Sequence, residues 1–133
     1  WILKNQERYE IFGFGLWAVV LKESGKVIGD CGVTMQNING SIKPEIGYHI
    51  AKKYQHQGYA KEASQKVRDW IFENTPFNII YSYMKKSNIA SSATARSNGM
   101  CYVDEFNDSE NEITVVYAIT RNEWNNLKTS VNF

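Results

Sequence analysis

Apolar residues, many of them β-branched or aromatic, gather in short runs over 16–22, 27–35 and 44–50. Runs of that length and composition predict strands. The first two are separated by Glu23-Ser24-Gly25-Lys26, a hairpin turn in which Gly25 supplies a positive φ. The turn-rich Asn37-Ile38-Asn39-Gly40 separates the second from the third, so the three form an antiparallel meander. The period then changes. From Ala60 onward, apolar positions at Ala63, Val67, Trp70 and Ile71 mark one face of a helix, which Pro76 stops. Residues 78–84 read as a strand, and a strand–helix–strand passage of this length is a right-handed parallel crossover. A shorter helix fits 89–98, with Gly99 ending it in a left-handed turn. Residues 100–105 and 113–120 close as an antiparallel pair, and residues 1–12 read as the tail of a helix stopping at Gly13 or Gly15. The order β-β-β-α-β-α-β-β predicts an α+β (mixed α/β) class: one domain over residues 1–133, with a mixed, mostly antiparallel sheet and flanking helices.

Composition narrows the functional classes. Hydrophobic residues make up 43% and charged residues 22%, with a formal net charge of +1, an ordinary soluble balance. The basic pairs Lys52-Lys53 and Lys85-Lys86 make no stripe for nucleic acid. Cys31 and Cys101 lie in no CxxC pattern and have no His at ligand spacing, so a metal site is not expected. Both read as buried small thiols in a reducing cytoplasm. No apolar run reaches the length of a membrane span.

The informative stretch is E-I-G-Y-H-I-A-K-K-Y-Q-H-Q-G-Y-A-K-E-A, from Glu45 to Ala63. A strand ends near Ile50, a polar loop follows, and a helix opens at about Gly58-Tyr59-Ala60. The first amides of a helix lack internal partners and, with the macrodipole, favour phosphate. Gly58 removes the Cβ that would hold a pyrophosphate away, and Ala60 keeps the helix start close. Neither GxxxxGK[ST] nor GxGxxG is present. The pattern therefore predicts a phosphate-binding strand–loop–helix without naming the ligand. Its bland rival is a glycine present for packing alone.

Gln55-His56-Gln57-Gly58-Tyr59-Ala60 resembles the Q/R-x-x-G-x-G/A signature of the GNAT superfamily of N-acetyltransferases, which clamps the coenzyme A pyrophosphate. The preceding E-I-G-Y-H-I stands where that family places its splayed fourth strand. Asn88-Ile89-Ala90-Ser91 followed by Asn98-Gly99-Met100 resembles the N-x-x-S…G-F element of its ribosomal-protein N-terminal acetyltransferase branch. The resemblance runs from about residue 16 to residue 124. It implies transfer of an acetyl group from acetyl-CoA to a primary amine, of a protein N-terminus or a small molecule, without a metal. It implies cofactor contacts from His49, Ile50, Gln55, His56, Gln57, Gly58, Tyr59, Ala60, Lys61, Asn88 and Ser91. A cytoplasmic protein with no nucleic-acid or membrane partner is expected, and a homodimer is compatible with it. The family's first strand and most of its paired N-terminal helices, which wall the acceptor pocket, are expected to be missing here.

Attack of an amine on a thioester needs a base, a donor for the oxyanion and a proton for the departing thiolate. Glu45 is the candidate base, on the strand that ends at the cofactor and sharing a strand face with Gly47 and His49. Its rival reading is a solvated Glu at a strand start. His49 is a weaker second base, and His56 sits in the phosphate loop. The resemblance assigns the oxyanion to the backbone N–H of Ile50. Some relatives place a Glu five residues before the Asn and a Tyr seven after it; here those positions are Tyr83 and Ala95. Ser91 is thus the thiol-side candidate, with a plain helix cap as its rival reading. The substituted positions leave a non-catalytic acyl-CoA-binding domain as the alternative.

Overall fold

Tight turns build the first half of the sheet. The computed structural model describes residues 14–131, so the expected helix tail over 1–12 lies outside the described residues. Strands β1 (Leu16–Val20) and β2 (Val27–Ile38) pair antiparallel, as do β2 and β3 (Ser41–Ile50). The second hairpin is tighter than the sequence suggests. Asn37 and Ile38 belong to β2, and only Asn39 (φ 50°) and Gly40 (φ 92°) form the turn. Positive φ at both central positions is the hairpin geometry that matches strand twist, and the Asn37 side chain accepts the Gly40 N–H at 2.8 Å.

A 3-10 turn (Lys52–Tyr54) and a short loop lead into α1 (Tyr59–Asn74), which crosses over to β4 (Ile79–Lys85). The β3–β4 pairing is parallel, as the crossover requires, with a single registered pair, Glu45 with Tyr81. Helix α2 (Ile89–Ser97) follows, then β5 (Cys101–Asn107), β6 (Ile113–Thr120) and α3 (Arg121–Val131). β6 lies between β4 and β5, giving the order β1-β2-β3-β4-β6-β5. The result is the mixed, mostly antiparallel sheet with flanking helices that the pattern predicts.

One core joins sheet to helices: Val33, Ile46, Ile80 and Ile119 meet Val67, Ile71 and Phe72 of α1, Ala95 of α2 and Trp124 of α3. Two expectations need correction. Trp70 is 37% exposed and packs edge-on against Trp17 at 5.1 Å, while Ser64, Val67, Ile71 and Phe72 form the inner face of α1. Four apolar positions were too few to fix the helix's rotation when a polar Ser occupies the core. Cys31 is buried, but Cys101 is exposed on the edge strand β5. Helix α3 is absent from the sequence reading. Its signal is short, with Trp124 and Leu127 one turn apart among polar residues.

Candidate active site

The site forms where β3 and β4 part. In the β2–β3 ladder alternate residues direct their backbone groups toward β2. The Ala51 N–H goes to the Ile28 carbonyl at 2.8 Å, so that of Ile50 points the other way, into the gap that β4 leaves. Close to this point the β2 and β3 backbones almost touch: a Cβ on Gly29 would fall 2.0 Å from the His49 carbonyl oxygen. Only glycine fits there.

The loop after β3 turns sharply. His56 (φ 64°) and Gly58 (φ 86°) both take left-handed backbone, uncommon for a side-chain-bearing residue but least so for Asn, Asp and His. The Gln55 side chain donates to the Ile50 carbonyl at 2.9 Å, and Gln57 donates to Lys53 at 3.4 Å. Gln55 thus bends the loop back onto the strand end. Gly58 is the N-cap of α1 and brings no side chain to it; the first helical bond runs from the Glu62 N–H to the Gly58 carbonyl. The amides of Tyr59, Ala60 and Lys61 precede that bond, and a Cβ on Gly58 would meet nothing within 4 Å. An open, uncapped helix start of this kind is a seat for phosphate.

A cleft of about 510 Å³ connects that helix start to the first turn of α2. It gathers nearly every expected cofactor residue: His49 and Ile50 from β3, Gln55, His56 and Gly58 from the loop, Tyr59, Ala60 and Lys61 from α1, and Asn88 and Ser91 at α2. Gln57 does not line it. Tyr48, Tyr54 and Thr94 do. Tyr48 stands at an alternating strand position that suits a core aromatic as well as a pocket-lining one. A larger cleft of about 620 Å³ lies on the other flank of α1, against β1 and Trp17, and Tyr59 borders both. The helix amides and the end of β3 converge on the smaller one.

Asn88 is the cap of α2, its side chain accepting the Ser91 N–H at 3.1 Å. The capping role that rivalled chemistry at Ser91 therefore belongs to Asn88. Tyr48 donates its hydroxyl to the Ser91 carbonyl at 2.9 Å. The neighbouring Asn98 is fully buried and pairs with Ser64, which in turn donates to the Ala60 carbonyl at 2.6 Å. The end of α2 is thereby tied to the first turn of α1.

Glu45 does not line the cleft. It faces away from the helices, and its carboxyl lies beside Gly47, where a Cβ would come within 3.3 Å of Oε1. It accepts a hydrogen bond from the Tyr83 N–H across the β3–β4 gap. Although the residue keeps some accessible surface, burial of the carboxyl pushes its pKa up to about 8, with the Tyr83 amide pulling partly the other way. His49 is largely exposed and paired with Asp30 at 3.0 Å. Tyr83 sits on β4 near Glu45, and Ala95 is fully buried in the core. Among the described residues no group of His, Cys, Asp and Glu is arranged to hold a metal, and no helix is long and apolar enough to cross a membrane.

Residues 1–101 match the model of the acetyltransferase (GNAT) domain. The chain belongs to the GNAT acetyltransferase family. It is 32% identical over 102 residues to the uncharacterized protein YkkB of Bacillus subtilis (strain 168), covering 77% of this chain and 59% of that one. The crystal structure of an acetyltransferase from Agrobacterium tumefaciens str. C58 is 28% identical, with a TM-score of 0.73 over 86% of this chain and 66% of its own. RimL, a ribosomal L7/L12 α-N-protein acetyltransferase solved with coenzyme A, shares the fold at 17% identity, with a TM-score of 0.74 over 90% of this chain and 68% of its own. The ribosomal-protein branch is thus one of several GNAT neighbours, and the chain spans about three fifths of YkkB.

Proposed function

We propose that this chain forms the acetyl-CoA-binding and catalytic core of an N-acetyltransferase acting on a primary amine. The observation that carries this reading is the single cleft joining the uncapped start of α1 at Gly58, the free end of β3 and Ser91 on α2. The α1 amides receive the pyrophosphate, with Lys61 alongside. The pantetheine arm runs along the β3 backbone, and the thioester ends near Ser91.

An amine nitrogen attacks the thioester carbonyl carbon, the new N–C bond forms and the C–S bond breaks. Glu45 lies outside the cleft at the β3–β4 gap, and takes the proton that the amine must lose first through bridging water. The Ile50 N–H holds the oxyanion. The thiolate leaves beside the Ser91 hydroxyl and takes up the second amine proton. Membership of the GNAT family and the coenzyme A complex of RimL support the choice of cofactor. The acceptor is a protein N-terminus or a small-molecule amine, and a screen of amines with acetyl-CoA distinguishes the two.

Titration calorimetry tests the cofactor half of this reading. Wild-type protein should bind acetyl-CoA, and Gly58→Glu should abolish binding by setting a carboxylate against the pyrophosphate. Gly58→Asn, which tolerates left-handed backbone, should weaken it far less. Equal affinity for all three would remove the phosphate-loop assignment. Binding without transfer to any amine would select the non-catalytic binder.

A further inference from the structure

The two walls of the cleft come from elements that no sheet ladder holds together. Beyond the pair Glu45–Tyr81, β3 has no registered partner in β4, and α2 begins only after β4 has ended. Tyr48, three residues past that pair, spans the opening: its hydroxyl donates to the carbonyl of Ser91, 43 positions away in the chain. Ser91 is held twice, its N–H by the Asn88 side chain and its carbonyl by Tyr48.

Resting on the cofactor reading above, we propose that Tyr48 is a positioning residue that sets the separation of β3 and α2, and so the seat of the pantetheine–thioester arm beside Ser91. The ring is wedged between strand and helix and packs against the core, so its hydroxyl arrives at Ser91 from a fixed direction. The first turn of a helix is where fraying starts, and a rigid aromatic strut there has only two side-chain torsions to order. The side chains of Ser91 and Thr94 lie alongside the phenol, whose pKa burial raises to about 12. It therefore stays a neutral donor throughout the working pH range.

The test separates the arm of the cofactor from its phosphates. Tyr48→Phe keeps the ring and deletes the hydroxyl with its bond to the Ser91 carbonyl. A net loss of about 1 kcal/mol for such a bond corresponds to roughly fivefold weaker binding. Acetyl-CoA should therefore bind Tyr48→Phe about fivefold more weakly. The probe 3′-phosphoadenosine 5′-diphosphate, which is coenzyme A without its pantetheine arm, should bind within twofold of wild type. Amide exchange in the first turn of α2 should quicken in the variant and stay unchanged in β5 and β6. A Tyr48→Leu variant, also without the hydroxyl, should show the same split between ligands. Equal weakening of both ligands, or of neither, overturns the proposal. A wild-type protein that binds neither ligand overturns the cofactor reading itself, and this inference with it.

Discussion

Glu45 carries the sharpest residue-scale consequence. With its carboxyl raised to about 8, most molecules at neutral pH hold a proton on the group proposed to accept one. Its basic fraction grows only as pH rises through 8, so kcat/KM should climb between about pH 7 and 9. Glu45→Gln should lower turnover by roughly 10²-fold, flatten that climb and leave acetyl-CoA affinity nearly intact. Wild-type turnover in the variant would pass the role to His49 or to water. The same shift has a stability consequence of definite sign. Between the ordinary 4.5 and the raised value, the folded state binds a proton that the unfolded state has lost. Stability therefore falls as pH rises through that window and levels off above 8. Urea melts should show Glu45→Gln losing this part of the decline and gaining on wild type at pH 9. A variant that tracks wild type at every pH would remove the burial argument.

At the scale of elements, the site depends on helices being held at both ends. The carbonyls at the end of α1 have no helical partners. Arg121, at the start of α3, donates to that of Phe72 (2.5 Å) and, just past the helix, to those of Thr75 (2.7 Å) and Phe77 (2.6 Å), and lies over the Phe72 ring. Arg121→Ala should cost about 2–3 kcal/mol in denaturant unfolding, since bonds to a charged group are the stronger kind. Acetyl-CoA affinity of the folded protein should not change. A loss below 0.5 kcal/mol would show the three carbonyls equally well served by water. This lock also explains what the sequence hides. The hairpins, the crossover and the phosphate loop declare themselves through local signals: Gly25, Asn39-Gly40, the Ala63–Ile71 spacing, Gly58. Arg121 and Tyr48 act on backbone carbonyls more than 40 residues away, and a carbonyl has no letter in the sequence. Ser64 hides for a related reason. Ser64 is satisfied inside the core by the Ala60 carbonyl of its own helix and by Asn98 at the end of α2, and a count of apolar positions, which favours Trp70, registers neither.

At the scale of the whole molecule, the sheet consists of two antiparallel halves, β1–β2–β3 and β4–β6–β5, meeting at one registered parallel pair. The bond from the buried Ser82 hydroxyl to the Ile46 carbonyl at 2.8 Å reinforces that seam, and the shared helical core spans it. A ladder of many bonds would close the gap and leave no channel. The seam is thus the cost of having a cleft, and a ligand bound as proposed, along β3 and α2, would supply the contacts that the missing ladder does not. Binding should then stabilise the seam more than the rest. Acetyl-CoA at 100 times its Kd should add about 2.7 kcal/mol to unfolding, a rise in Tm on the order of 10 °C for a chain of this size. Hydrogen exchange should locate the gain. Amides of residues 47–50 and of the first turn of α2 should slow more than those of β1, whose pairing with β2 the ligand does not touch. A Tm rise with uniform slowing would mean that the two halves already behave as one rigid sheet and that the seam is not a point of weakness.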